Sequence, residues 1–269
     1  MNIRVGLLLA VAVALSGCET SPTGRSQFLL VSPDAAIAES RVAYLATVRQ
    51  LEREDKLLDD PLLAERVGEV TGRVVAATVA RYPRTAGWNW SVALIDGPET
   101  VNAWCMAGGR MAVYSGLVHK LDLTDDELAQ IMGHEISHAV ANHTAEKMSM
   151  AIASGLGLAA IAASADNPRA LQGAALAATL AINLPNSRVS ESEADRMGIE
   201  LATRAGYEPS AAVTLWRKMA VQGGGRLPAF LSTHPSPGNR GAALAALGAR
   251  MSALKPAVPP PPHPVEILP

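Results

Sequence analysis

Aromatic residues, cysteines and unbalanced charge are all scarce in this chain of 269 residues. Only 4% of the residues are aromatic although 49% are hydrophobic, so a core must be built mainly from aliphatic side chains and methionine. The two cysteines, Cys18 and Cys105, are too few for the disulfide framework of a small secreted domain. The 23 basic and 25 acidic side chains form no basic stripe that could neutralise phosphates, so we expect no nucleic-acid partner.

Residues 1–17 have the pattern of a secretory signal. Arg4 precedes a short apolar run, Gly6 to Leu15, which is too short to span a bilayer comfortably. The run ends in Leu15-Ser16-Gly17-Cys18, which resembles the bacterial lipobox, a motif whose cysteine is lipidated and becomes the mature N-terminus. We therefore expect a lipid on Cys18 that anchors the chain to the cell envelope, facing the periplasm. Glu19, where an aspartate would favour the inner membrane, indicates the outer membrane; an ordinary cleaved signal is the alternative.

The rest of the chain is expected to hold one domain at residues 35–254, preceded by a polar tether at 18–34. Residues 255–269 are a proline-rich tail that need not fold. Periodicity and turn residues predict helices at 35–54, 61–80, 124–147, 190–205, 209–222 and 239–254, and strands at 88–96, 101–106 and 110–113. Residues 148–181 are predicted to form two apolar helical arms, buried or covering an interface; a transmembrane hairpin is the weaker alternative.

The segment His134-Glu135-Ile136-Ser137-His138 has the spacing of a metal site on a helix. Side chains four positions apart share a helical face, so both imidazoles can reach one ion. Glu135 lies beside that ion, where a carboxylate can take a proton from a water. Thr124 and Glu127 form a capping box at the start of this segment, which supports its helical assignment.

A third metal ligand is not found immediately after this motif. A metzincin needs glycine and histidine at positions where this chain has Ala141 and Thr144, so that class is excluded. His143 lies nine residues after His134, half a turn away on the helical period, and is expected to be structural.

Two carboxylates on a later predicted helix are better candidates. Glu191 and Asp195 are four positions apart and share a face. One of them can bind the metal while the other orients a ligand histidine from behind. Glu193, between them, points away from that face and is expected to be a solvated charge.

Four blocks of the sequence resemble one known family. HEISHAVANH, SRVSESEADRMGIELATRAGY, STHPSPGNR and VNAWCMAGGRMAVYSGLV are similar to the zinc metallopeptidases that include the CAAX prenyl protease and the heat-shock protease HtpX. Short periplasmic lipoprotein members look most similar, and the resemblance covers about residues 35–254. It implies a mainly helical α+β fold, zincin-like (gluzincin), with a small antiparallel sheet next to the H-E-x-x-H helix. Trp104 and Cys105-Met106 depart from the family pattern, and the family's membrane spans are not evident.

The resemblance also implies a set of site residues. It assigns one zinc ion per chain to His134, His138 and Glu191, with Asp195 in the same motif as Glu191. His234 and Arg240 lie at the family's active-site histidine and arginine positions. His234 either donates to the developing oxyanion or occupies zinc's open position, whereas Arg240 either holds the oxyanion or braces the site.

The expected function is that of a zinc endopeptidase in which Glu135 is the general base. The segment Gly109-Arg110-Met111-Ala112-Val113-Tyr114 is predicted to bind extended substrate as an added strand. That mode suits unfolded or misassembled envelope proteins, which expose their backbone. Two alternatives remain open: a non-enzymatic chaperone or assembly lipoprotein with a structural zinc site, and a hydrolase of lipid or cell-wall amide bonds.

Overall fold

A computed structural model describes residues 18–164, 187–222, 229–234 and 239–268. The predicted signal at 1–17 and the second arm of the predicted apolar hairpin lie outside the described residues. Tertiary contacts divide the chain into two compact units. The smaller unit contains residues 1–36 and 142–184, and the larger contains residues 37–141 and 185–269.

Helices account for most of the described chain, with short strands between them. Within the described residues the helices are α1 (Pro33–Arg53), α2 (Pro61–Arg81), α3 (Ser115–Lys120), α4 (Asp125–Val140), α5 (His143–Ser164), α6 (Arg188–Arg204), α7 (Ala211–Gln222), α8 (Ala229–Thr233) and α9 (Arg240–Met251). The strands are β1 (Cys18–Thr20), β2 (Ser26–Phe28), β3 (Ser91–Ile95), β4 (Ala103–Met106), β5 (Arg110–Tyr114) and β6 (Glu266–Leu268). The predicted mainly helical α+β class is therefore confirmed.

The metal-motif helix is shorter than its periodicity predicts. α4 begins after the Thr124 cap, as expected, but it ends at Val140 and not near residue 147. Asn142 adopts a left-handed conformation with φ 56°, which an asparagine tolerates better than most residues, and a new helix starts at the next residue. The guanidinium of Arg84 donates to the Val140 carbonyl and so satisfies one acceptor at this helix end.

In the smaller unit, the segment 18–34 is folded, so its assignment as a tether is wrong. β1 and β2 form an antiparallel hairpin whose turn includes Gly24 at φ 89° and a 2.7 Å hydrogen bond from Ser21 N to Arg25 O. Arg25 holds the hairpin on α5 through two 2.7 Å hydrogen bonds to the Glu146 carboxylate. A bidentate arginine–carboxylate pair fixes the relative geometry of its partners strongly. It therefore orders a segment whose polar composition alone predicts no fixed structure.

In the larger unit, four strands form one sheet in the order β4-β5-β3-β6. β4 and β5 are antiparallel, as the predicted sheet requires, whereas β3 runs parallel to both of its neighbours. β5 therefore lies inside the sheet and is paired along both sides. The segment from Gly109 to Tyr114 has no open edge for a substrate, so its predicted role as the substrate-binding strand is wrong; in the described sheet, β4 occupies the edge on that side.

The proline-rich tail is also ordered, contrary to expectation. Its strand β6 pairs with β3 and covers what would otherwise be an exposed sheet edge. Before that strand, His263 N donates to the Gly72 carbonyl over 2.9 Å. A Cβ atom on Gly72 would lie only 2.7 Å from the His263 carbonyl oxygen, so a glycine on α2 permits this close approach. Backbone pairing with the larger unit thus orders the tail, and composition does not reveal it.

Two glycines bring α4 and α6 into backbone contact inside the larger unit. A Cβ atom on Gly133 would lie 2.6 Å from the Gly198 carbonyl oxygen, and one on Gly198 would lie 2.7 Å from His134 N. The close packing of these helices places the acidic first turns of α6 against the histidine face of α4. Among the described residues, none of the helices combines the length and apolarity needed to cross a membrane.

Candidate metal centre

The two histidines of the motif lie one turn apart on α4. Thr124 and Glu127 form the predicted capping box at the start of this helix, and residues 127–140 are all buried. His134 and His138 are each 5% exposed, and their Nε2 atoms lie 3.1 Å apart. Helical spacing and burial thus direct two imidazole nitrogens to the same point in the interior.

Glu191 supplies a carboxylate to this point from the first turn of α6. Ser187 caps that helix by accepting from Ser190 N, and the Glu191 side chain is completely buried. Its Oε2 atom lies 3.3 Å from His134 Nε2, and its Oε1 atom lies 3.4 Å from His138 Nε2. The carboxylate therefore faces both imidazoles at once.

His234 adds a fourth ligand atom from the end of the short helix α8. Its backbone N donates to Phe230 O over 2.9 Å, and its ring stacks on the Phe230 ring with centroids 4.4 Å apart and planes inclined by 21°. This geometry places Nδ1 3.1 Å from Glu191 Oε1 and 3.3 Å from His134 Nε2. His234 is 4% exposed, so the site is closed on this side.

The donor set and its spacing fit a zinc ion. One atom from each of His134, His138, Glu191 and His234 lies within 4.8 Å of the others. A tetrahedral ion with bonds of 2.0–2.1 Å needs ligand atoms about 3.3–3.4 Å apart. Five of the six residue pairs, at 3.1–3.4 Å, lie close to that requirement. Imidazole nitrogens and a carboxylate are ordinary zinc ligands, and a cation explains why these acceptors converge in the interior.

Glu135 lies beside the cluster without belonging to it. It is 2% exposed, its Oε1 atom has no hydrogen-bond partner, and that atom lies 3.4 Å from His234 Nε2. Burial raises the pKa of the Glu135 carboxyl, although the nearby histidines and a hydrogen bond from the Cys105 backbone oppose the rise. A buried carboxylate with an unused acceptor oxygen is suited to accept a proton from a small molecule held at the metal.

Asp195 and Arg240 support the cluster from behind. Asp195 Oδ1 lies 3.1 Å from His134 Nδ1 and accepts from Arg240 Nη2 over 2.6 Å. The Arg240 guanidinium lies 3.4 Å from the centre of the Trp216 ring, and its Nη1 is 3.5 Å from the His234 carbonyl oxygen. Arg240 thereby links the carboxylate behind one histidine to the backbone of another.

The charges within the site are strongly coupled. Burial alone would lower the pKa of His134, but the hydrogen bonds and charges of Asp195 and Glu191 raise it to about 9. Burial alone would raise the pKa of Glu191, but the hydrogen bonds from His134 and His234 hold it well below its usual range. The cluster therefore keeps a carboxylate charged in the interior, which is the state that a bound cation needs.

The structure brings together the metal-site residues that the sequence singles out. The residues that meet are His134, Glu135, His138, Glu191, Asp195, His234 and Arg240. Glu193 is only 6% exposed, so its expected position as a solvated charge is wrong. Sequence reasoning overlooked Phe230 and Trp216, which stack on the His234 and Arg240 side chains. The four-residue spacing from Phe230 to His234 was a signal for the first, because it places two helical side chains on one face.

The fold and this site define a metallopeptidase of the H-E-x-x-H class. The chain belongs to Peptidase family M48, whose family model matches residues 61–247. M48 metalloproteases use zinc, and the buried group of three histidines and one glutamate can bind a metal ion. The expected membership of a zinc metallopeptidase family is thus confirmed.

The curated relatives that the chain matches are named as metalloendopeptidases or proteases. The chain is 33% identical over 247 residues to the mitochondrial metalloendopeptidase OMA1 of Bos taurus, which covers 87% of this chain and 46% of the relative. It is 34% identical over 193 residues to the mitochondrial metalloendopeptidase OMA1 of Arabidopsis thaliana, a match that covers 72% of this chain and 38% of the relative. It is 33% identical over 205 residues to the β-barrel assembly-enhancing protease of Escherichia coli K12, a match that covers 72% of this chain and 40% of the relative. The chain spans less than half the length of these relatives.

Proposed function

We propose that the chain is a zinc-dependent endopeptidase of the bacterial cell envelope that cleaves unfolded or misassembled proteins. One observation carries the peptidase part of this proposal. Four buried residues offer ligand atoms within 4.8 Å of one another, and beside them Glu135 presents a carboxylate oxygen that has no hydrogen-bond partner. A site that served only to bind metal would have no need of that oxygen, since an unsatisfied buried acceptor costs free energy.

Each side chain has a distinct task in this reaction. His134, His138 and Glu191 would hold zinc, which would act as a Lewis acid. Glu135 accepts a proton from the attacking water and passes it to the leaving amine. Asp195 accepts from His134 Nδ1, which leaves the other ring nitrogen of His134 to face the metal position.

The edge strand β4 is the better candidate for binding substrate backbone. The Cys105 backbone N–H on this strand interacts with the Glu135 carboxylate. An extended peptide that added to this edge would pass beside Glu135. Strand addition depends mainly on main-chain hydrogen bonds and little on the substrate's side chains. This mode of binding therefore favours substrates whose backbone is exposed, such as unfolded proteins.

The envelope setting is inferred from the lipobox-like segment and from one relative. The resemblance to short periplasmic lipoproteins and the name of the Escherichia coli protease, which refers to β-barrel assembly, both support a role in envelope protein quality control. Cys18→Ser is expected to abolish anchoring and leave a soluble form or an uncleaved precursor. Mass spectrometry of the native N-terminus decides the matter, because an unmodified start downstream of Cys18 would contradict lipidation.

A second candidate function is a non-enzymatic lipoprotein with a structural zinc site. His234 favours it, because its Nδ1 atom completes a set of four protein ligand atoms, and structural zinc sites are closed in this way. The two functions differ in whether water and substrate can reach the metal beside Glu135.

The deciding experiment is digestion of an unfolded casein by the zinc-loaded protein. We expect cleavage that a chelator abolishes and that Glu135→Gln eliminates without loss of zinc. Glu52→Gln, an exposed change on α1, serves as the matched control. A fully metallated wild type that leaves casein intact, even after His234→Ala, would favour the non-enzymatic alternative.

A further inference from the structure

The folded hairpin in the smaller unit leaves no spacer after the proposed lipid site. β1 begins at Cys18, and Cys18 pairs directly with Phe28 on β2. The hairpin is held to α5 by the contacts of Arg25 with Glu146. Hydrogen bonds of 2.8 and 2.9 Å from the backbone amides of Leu30 and Val31 to Ser149 Oγ add to this attachment. A lipid on Cys18 would therefore hold this unit directly at a bilayer surface.

The separation between the lipid site and α5 is small. Paired α-carbons of antiparallel strands lie about 5 Å apart, which brings Cys18 close to Phe28. Two further extended residues span at most about 7 Å and lead to Leu30, whose backbone amide is hydrogen-bonded to Ser149 on α5. The lipid attachment point is thus within roughly 15 Å of the helix, which is less than half the thickness of a bilayer.

The part of α5 that follows this contact carries no charge. Its sequence from Met148 to Ser164 lacks any aspartate, glutamate, lysine, arginine or histidine. Met150 and Ile152 are 53% and 45% exposed, although both are large apolar side chains. Leu30, on the segment bonded to this helix, is 37% exposed.

The two exposed apolar residues of α5 point to different sides of the helix. Two positions correspond to about 200° of rotation at 3.6 residues per turn. A helical segment with apolar side chains on more than one side and no charge has no face that must stay in water, so it can enter the interfacial region. An interfacial position of this segment accounts for the exposure of both side chains.

We infer that α5 inserts its charge-free portion, around Met150 and Ile152, into the interfacial region of the bilayer to which Cys18 is anchored. This inference rests on the lipidation in the proposed function. The lipid supplies one attachment and the helix a second, and two weak attachments together give a stable membrane association. The polar start of α5, which contains Glu146 and Lys147, stays outside the apolar layer.

The test uses the mature lipidated protein in vesicles of phosphatidylethanolamine and phosphatidylglycerol. In a Cys105→Ser background, Ile152→Cys is labelled with an environment-sensitive fluorophore. Val221→Cys, on the larger unit and 79% exposed, is the matched control. We expect blue-shifted emission at position 152 that spin-labelled lipids quench several times more strongly than emission at position 221.

The result is separable from the peptidase proposal. Zinc content and casein cleavage are measured on the same samples, so loss of activity would count against the endopeptidase and not against membrane insertion. A label at position 152 that is quenched only by a water-soluble agent, in protein shown by mass spectrometry to carry the lipid, would overturn the inference. Protein without lipid on Cys18 would overturn it as well, because the anchoring premise fails.

Discussion

Asp195 Oδ1 lies 3.1 Å from His134 Nδ1, so a carboxylate on α6 orients an imidazole on α4 from the side opposite the metal position. The same Asp195 oxygen accepts from Arg240 over 2.6 Å. The contact therefore connects three helices, α4, α6 and α9, at one atom.

Asp195→Asn should weaken zinc binding by about 10–100-fold, the usual effect of removing the carboxylate behind a ligand histidine. The substitution keeps the shape of the side chain but removes the charge that stabilises the correct tautomer of His134. Competition with a chromogenic chelator measures the effect. Asp59→Asn, an exposed change, is the control; equal affinity in the two variants would contradict the role of Asp195.

Removing any one of three ligands, by His134→Ala, His138→Ala or Glu191→Ala, should greatly reduce the zinc content. The reason is geometric, because each contributes an atom 3.1–3.4 Å from its neighbours in the cluster. Metal analysis of purified protein is the measurement. Full zinc in Glu191→Ala together with loss in Glu193→Ala would reverse the assignment of the carboxylate ligand.

Zinc binding should release a proton at neutral pH. Without metal, hydrogen bonds to Asp195 and Glu191 outweigh burial and raise the pKa of His134 to about 9, so His134 is protonated at pH 7.5. Ligation needs the neutral ring, so the apparent affinity should rise with pH up to about 9 and level off above it. Calorimetry in two buffers of different ionisation enthalpy detects the released proton; identical heats in both would contradict it.

His234→Ala should raise basal cleavage of a small unfolded substrate. In the structure His234 Nδ1 lies 3.1 Å from Glu191 Oε1 and 3.3 Å from His134 Nε2, among the ligand atoms. A histidine in that position would exclude water from a bound metal until substrate or a partner displaced it. If His234 instead only steadies the oxyanion, the variant should lose about a hundred-fold or more in turnover. Rates are compared at equal zinc content, and a slower, folded variant would rule out the switch role.

Gly198→Ala should destabilise the larger unit and the metal site together. The added Cβ atom would lie 2.7 Å from His134 N, and neither of the two backbones can move without disturbing the other helix. Overpacking of this kind costs about 1–3 kcal/mol. Gly241→Ala on α9 is the matched control, because nothing lies within 4 Å of its added Cβ atom. Thermal unfolding and zinc content are measured for both variants. Equal stability of the two would contradict the close packing of α4 and α6.

Local spacing alone predicted a histidine pair and a carboxylate pair for the site, whereas the family resemblance assigned the ligand role to Glu191. The four-residue separation of His134 and His138, and the same separation of Glu191 and Asp195, depends only on the helical period. The Thr124 cap likewise depends on a residue three positions away. Such short-range relationships do not need the fold to be known, and the family resemblance then added His234 and Arg240.

Other features of the structure could not be predicted from residue spacing. The break at Asn142 depends on a left-handed residue that periodicity does not register. The burial of Glu193 and the aromatic contacts of Phe230 and Trp216 depend on which helices pack together. Hydrophobic pattern reports that a face is buried but not which side chains meet there.

By itself, the sequence determined the helical class, the H-E-x-x-H helix with its capped start, and the pair of carboxylates on a later helix, because each follows from spacing within a few turns of chain. Only the tertiary structure decided that β5 lies inside the sheet and β4 at its edge, and that the tail pairs with β3. Strand order and the contact of Gly133 with Gly198 join residues far apart in the chain. Their energies come from pairing and packing partners that no local pattern specifies.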